Sequence, residues 1–130
     1  MKIFPMILAG GEGRRLAPLS TPQKPKAFVM MPSGHTMLEE TCARFFDSEI
    51  YHAPSIILNV RHTDFLKNNN RNMIAESEAG GTAMAIAFAA FYALERDENA
   101  IILICPCDHY LEDINQFHAA IAQAKNYVHQ

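Results

Sequence analysis

A chain of 130 residues is one domain's worth of polypeptide, and a domain of this size buries roughly two-thirds of the surface that its unfolded form exposes. Its 49% hydrophobic and 19% charged residues exclude a disordered or fibrous chain, and a charged share below the ~25% usual in soluble domains points to covered surface. The net charge is −3, no apolar run nears the roughly 18 residues of a bilayer span, and the N-terminus lacks the pattern of a signal peptide. A cytoplasmic location, with no membrane and no nucleic-acid partner, is therefore expected.

In chain order, residues 3–9 form the first apolar, strand-like run, and residues 36–46 carry apolar side chains at Met37, Leu38, Cys42, Phe45 and Phe46 in helical spacing. A second strand is expected over 55–60, a weak helix over 63–69, a third strand over 73–76 and a fourth over 100–105. None of the four alternates cleanly, which is how strands covered on both faces read. Residues 82–96 are apolar nearly all round, so a buried helix is expected there, with Thr82 as N-cap and Met84, Phe88 and Phe91 in the core. Asp113 and Gln116 resemble a capping box ahead of a stripe at Ile114, Phe117, Ile121, Ala124 and Val128. Alternating strands and helices imply right-handed βαβ units, hence an α/β fold in three layers, a Rossmann-like, mostly parallel sheet with flanking helices.

In such a sheet the ligand lies beyond the carboxyl ends of the strands. Three unusual segments fall there: Gly10–Ser20 after the first strand, AESEAGGTA (75–83) after the third, and CPCDH (105–109) after the fourth. Gly10, Gly11 and Gly13 let main-chain N–H groups come close to an anion. Between Leu8 and Phe28, Arg14, Arg15, Lys24 and Lys26 stand against the single acid Glu12, so the positive charge of this acidic chain is local and suits a nucleoside triphosphate. Arg14 and Lys24 read equally well as solvated surface charges. No Walker sequence occurs, and the dinucleotide fingerprint fails because Leu16 takes its third small position. Cys42, Cys105 and Cys107 form no disulfide framework. Cys105, Cys107 and His109 could share a strand face as soft-metal ligands, but buried core cysteines are the better reading.

The longer pattern LAGGEGRRLAPLSTPQKPKAF (8–28) resembles the signature of sugar-nucleotide pyrophosphorylases, GGxGxRLxPL followed by PKxF, and within that family it is most similar to bacterial mannose-1-phosphate guanylyltransferases. HTMLEETCARF (35–45), ESEAGGTAMAIAFAA (76–90) and CPCDH resemble three further elements of the family in the same order. The resemblance implies a partial nucleotide-diphospho-sugar transferase fold, with residues 1–130 as the nucleotide-binding part and the sugar-binding half absent. It implies a nucleotidyltransferase that moves GMP from GTP to mannose 1-phosphate, giving GDP-mannose and pyrophosphate. Arg15 and Lys26 match the arginine and lysine expected to neutralise the phosphates. Asp108 matches the aspartate that helps to hold Mg²⁺. Leu8, Ala9, Gly10, Gly11, Gly13, Arg14, Glu76, Gly81 and Thr82 are assigned to the nucleotide.

Glu76 also bears on the base: a carboxylate only accepts, and guanine offers adjacent N1–H and N2–H₂ donors. The chain departs from the family at Ser77 and Met84, which replace prolines, and at Gly80 and Gly81, which replace an Arg-Asn pair whose polar contacts the family would place near base or ribose. A non-catalytic nucleotide-binding module, a truncated remnant, and a transferase for another base or sugar are the alternatives. The missing half also leads to the expectation of an exposed sheet edge through which copies of the chain could pair.

Overall fold

The computed structural model describes residues 1–11, 13–77 and 80–128, so Glu78 and Ala79 of the 75–83 loop, and Glu12 of the glycine loop, lie outside the described residues. Four strands, β1 (Ile3–Leu8), β2 (Ser55–Asn59), β3 (Asn72–Glu76) and β4 (Ile101–Pro106), form one sheet in the order β3-β2-β1-β4. All pairs are parallel: Met6 lies opposite Ser55, Ile3 opposite Ile101, and Ser55 opposite Asn72. The helices are α1 (Met37–Ala43), α2 (Gly81–Leu94) and α3 (Ile114–Val128).

The strand period of two sends side chains of β1 to opposite faces, and two separate cores follow. Ile3 and Ile7 join Leu38 and Cys42 of α1, Ile121 of α3, and Phe28, Phe45, Tyr51 and Leu66 on one face. Phe4 and Met6 meet Ala85, Ala89 and Ala93 of α2 on the other. The result is the expected three-layer α/β arrangement; β1 and β2 are covered on both sides, whereas the edge strand β3 exposes Asn72, Met73 and Ala75, contrary to the expectation for that strand.

Local chemistry sets the element ends. α1 begins at a full capping box that the sequence reading did not single out: the Glu39 N–H donates to Thr36 Oγ1 at 3.1 Å, and the Thr36 N–H to Glu39 Oε2 at 2.7 Å. Asp113 caps α3 by accepting from the N–H groups of Asn115 and Gln116 at 2.9 and 3.0 Å. β2 ends one residue early, because Val60 opens a 3₁₀ segment (Val60–Leu66) where a weak α-helix was expected.

α2 corrects the sequence reading twice. Its N-cap is Gly80, with no side-chain cap, and Thr82 is already inside the helix. Nor is it buried all round: the alanine stripe Ala85, Ala89, Ala93 packs on the sheet with Tyr92 partly buried beside it, while Met84 and Phe88 are exposed and Phe91 is 68% exposed. A uniformly apolar helix carries no periodic signal to show which face meets the sheet; small side chains won that place because they let the helix approach closely. Cys42, Cys105 and Cys107 are buried, free thiols in the core. Burial pushes the Cys107 thiol up to about 11, His109 is exposed, and among the described residues no three His, Cys, Asp or Glu side chains are gathered to hold a metal ion, so the buried-core reading of Cys105 and Cys107 stands.

Candidate functional site

The loop leaving β1 is the centre of the site, and hydrogen bonds fix its path. Ala9 donates its N–H to the Ile57 carbonyl at 2.8 Å, so that amide is engaged within the sheet and is not offered to a phosphate. Gly13 takes φ = 70°, in the left-handed region, and its carbonyl accepts from the Leu16 N–H at 2.9 Å and from Ser20 Oγ at 2.5 Å. A Cβ at Gly13 would lie 2.6 Å from Lys26 Cβ, so the missing side chain is what lets the Lys26 stem run along the loop. At Gly11 an added Cβ would stand 3.9 Å from Lys26 Nζ.

Lys26 ends on Asp108: Nζ donates to Oδ2 at 2.5 Å, although 82 residues separate the two in sequence. The pair is mostly shielded, at 24% and 30% side-chain exposure, and the Lys26 hydrogen bond holds the Asp108 carboxyl below its usual range against the opposing pull of partial burial. Glycine loop, lysine and aspartate therefore converge, as the sequence pattern requires. Arg14 and Arg15 part company on the 3₁₀ turn Arg14–Leu16, where successive residues point in different directions. Arg14 lines a broad cleft of about 820 Å³ with Gly10, Gly11, Gly13, Arg61 and His62; Arg15 is exposed and lines neither this cleft nor the next.

On the opposite face of the sheet, a narrower cleft of about 230 Å³ is lined by Leu8, Gly10, Gly11, Ile57, Glu76, Gly81, Thr82 and Ala85. Six of these residues belong to the predicted nucleotide set, and Ile57 and Ala85 are additions that only packing reveals. Gly81, at φ = 77°, turns the chain into α2, whose first N–H groups lack intrahelical partners and favour negative charge. Glu76 forms the wall. It is only 8% exposed, its Oε1 has no hydrogen-bond partner, and a Cβ at Gly10 would stand 3.4 Å from its Oε2. Burial pushes its carboxyl above the ordinary range. A buried acceptor without a donor costs stability, which is the mark of a group kept for a ligand.

The match of the Nucleotidyl transferase family model spans residues 4–130. The chain belongs to that family. Mannose-1-phosphate guanylyltransferases from Klebsiella pneumoniae and Escherichia coli are 36% and 35% identical to it over 132 residues, with 96% of this chain and 28% of each relative aligned. A crystal structure of mannose-1-phosphate geranyltransferase from Thermus thermophilus matches with a TM-score of 0.79 at 27% identity, over 95% of this chain and 37% of that one. This nucleotidyl transferase chain thus spans little more than a quarter of the length of the curated relatives it matches. No helix among the described residues is long and apolar enough to cross a membrane.

Proposed function

We propose that this chain is the nucleotide-binding part of a mannose-1-phosphate guanylyltransferase, with GTP as the nucleotide and mannose 1-phosphate as the acceptor. The observation that carries the guanine is Glu76: a buried carboxylate with an unmatched oxygen in a small, mostly apolar cleft beside a glycine loop. Guanine presents two adjacent donors to such an acceptor; uracil and thymine, with one donor between two carbonyls, suit an amide better. The sugar rests on the relatives' names alone.

In the reaction, an oxygen of the sugar 1-phosphate bonds to the α-phosphorus while the bond from that phosphorus to the bridging oxygen of the β-phosphate breaks, releasing pyrophosphate. The nucleophile is already an anion at neutral pH, so no general base is needed. The chain has to align the groups and hold positive charge against the phosphates. Gly10, Gly11 and Gly13 would bring main-chain donors to the triphosphate, Lys26 would neutralise it, and Arg15 would reach it from the exposed turn. Asp108 would hold Mg²⁺. One carboxylate beside a phosphate site is a fitting donor set, since this hard cation is commonly held by one or two carboxylates with phosphate oxygens and water. The ion would supply charge neutralisation where pyrophosphate leaves.

Calorimetric titration of the chain with GTP, ATP and UTP in the presence of Mg²⁺ tests the reading. Saturable binding that favours GTP is expected, and equal or absent binding of all three overturns it. Because the chain aligns with only 28% of its relatives, a module that binds GTP without turning it over is the second reading. GDP-mannose formation from GTP and mannose 1-phosphate, or its absence where GTP binds, separates the two.

A further inference from the structure

Nothing in the sequence motif explains why the Asp108 carboxylate stands at Lys26. Asp108 lies on an exposed turn past the end of β4, where a carboxylate would ordinarily swing freely. Its two neighbours are both tethered. The Cys107 N–H donates to the Leu8 carbonyl at 3.3 Å, tying the turn to β1 beside the glycine loop. The Cys107 carbonyl accepts from Thr41 Oγ1 at 3.2 Å, and Thr41 is 0% exposed. On the other side of the acid, Arg44 Nη2 donates to the His109 carbonyl at 2.5 Å.

Thr41 and Arg44 both belong to α1: Thr41 is inside the helix and Arg44 is its C-cap, three positions on, so they share one face. Thr41 Oγ1 also lies 2.9 Å from the Met37 carbonyl, so its one proton is shared between that i−4 carbonyl, which fixes the rotamer in the helix, and the Cys107 carbonyl. The hydroxyl that meets Cys107 is thus held before the turn arrives.

We propose that Thr41 and Arg44 are positioning residues for Asp108: α1 clamps the carbonyls on either side of the acid and so delivers its carboxylate to Lys26 at the phosphate site. The functional meaning of the clamp rests on the nucleotide reading given above; the clamp itself does not. Relaxing either tether lets the turn rotate and the Lys26–Asp108 contact part, without removing a group that touches the nucleotide. Thr41→Val is close to isosteric and deletes only the hydroxyl, Thr41→Ser restores it, and Arg44→Met keeps most of the stem while removing the donor.

Two measurements on the full chain test this. The first is the ¹⁵N-lysine NMR signal of the Lys26 ammonium, which a held ion pair keeps sharp. It is expected to be resolved in the wild type and in Thr41→Ser, and to broaden in Thr41→Val and Arg44→Met as it does in Asp108→Asn. The second is GTP affinity with Mg²⁺ and with the metal chelated. A hydrogen-bonded charged group accounts for about tenfold or more in affinity, so Thr41→Val and Arg44→Met are expected to erase an increment of about that size from Mg²⁺. They should leave metal-free affinity within about twofold and have no further effect in an Asp108→Asn background. If Thr41→Val fails to fold, Arg44→Met and Thr41→Ser carry the test. An unresolved wild-type ammonium signal, or a sharp one in Arg44→Met, overturns the clamp. A signal lost in the variants of a chain that binds no GTP upholds the clamp and sinks the nucleotide reading instead.

Discussion

Glu76 is the residue where stability and ligand binding are expected to pull apart. The residue is 8% exposed with Oε1 buried and unpartnered, and an unpartnered buried group costs about 1–3 kcal/mol, more when charged. Glu76→Gln keeps the shape and removes the charge, so it is expected to raise stability at pH 7 by about 1 kcal/mol, a melting shift of about 4 °C for a domain of this size. The same change should weaken GTP. Guanine's two donors lose a charged acceptor worth about 1.5–3 kcal/mol for each bond, and the glutamine amide turns its own donors toward one of them, for a net loss of about 2–4 kcal/mol, or about 30- to 1,000-fold. The pH dependence has a definite sign. The folded-state pKa of Glu76 is raised by burial, so the carboxyl's contribution to stability is intact below the unfolded value and lost as pH rises through the folded one. GTP, which selects the ionised form, should bind more tightly over that same rise and then level off. Glu76→Gln should flatten both curves. Thermal melts and calorimetry in a pH series running upward from the ordinary carboxylate range read both effects. A variant that melts lower than the wild type and binds GTP equally well would refute the reasoning.

Gly13→Ala would place a Cβ 2.6 Å from Lys26 Cβ at φ = 70°, and is expected to cost about 1–3 kcal/mol and to weaken triphosphate binding; denaturant unfolding and GTP titration check it. Asp108, whose pKa is depressed by Lys26, contributes stability that is present above the unfolded carboxyl value and lost as pH falls through the folded one. Asp108→Asn should therefore remove that part of the acid sensitivity, seen as a flatter melting temperature between about pH 5 and pH 2. Phe91→Glu, at a site 68% exposed on α2, should leave the circular dichroism and melting temperature nearly unchanged; a large loss of stability would show that Phe91 is packed after all.

The strand runs, the glycine loop, and Lys26 and Asp108 as separate candidates were legible in the amino-acid order, because strand hydrophobicity, glycine and charge are local properties; that the two side chains meet was not, since 82 residues separate them in sequence. The same order marked Glu76 but not its isolation: whether a carboxylate is solvated or stranded depends on what packs over it, and here Gly10 and the start of α2 do so. It also put Phe88, Phe91 and Met84 inside, since an all-apolar helix does not reveal its buried side; closeness of approach to the sheet chose Ala85, Ala89 and Ala93. Arg14 and Arg15 are adjacent and alike in sequence, and only the 3₁₀ turn sent one to a cleft and left the other outside it. The tethers from Thr41 and Arg44 span 66 and 65 residues, and contacts at that separation exist only once the sheet has set β4 beside β1 and α1 across its end.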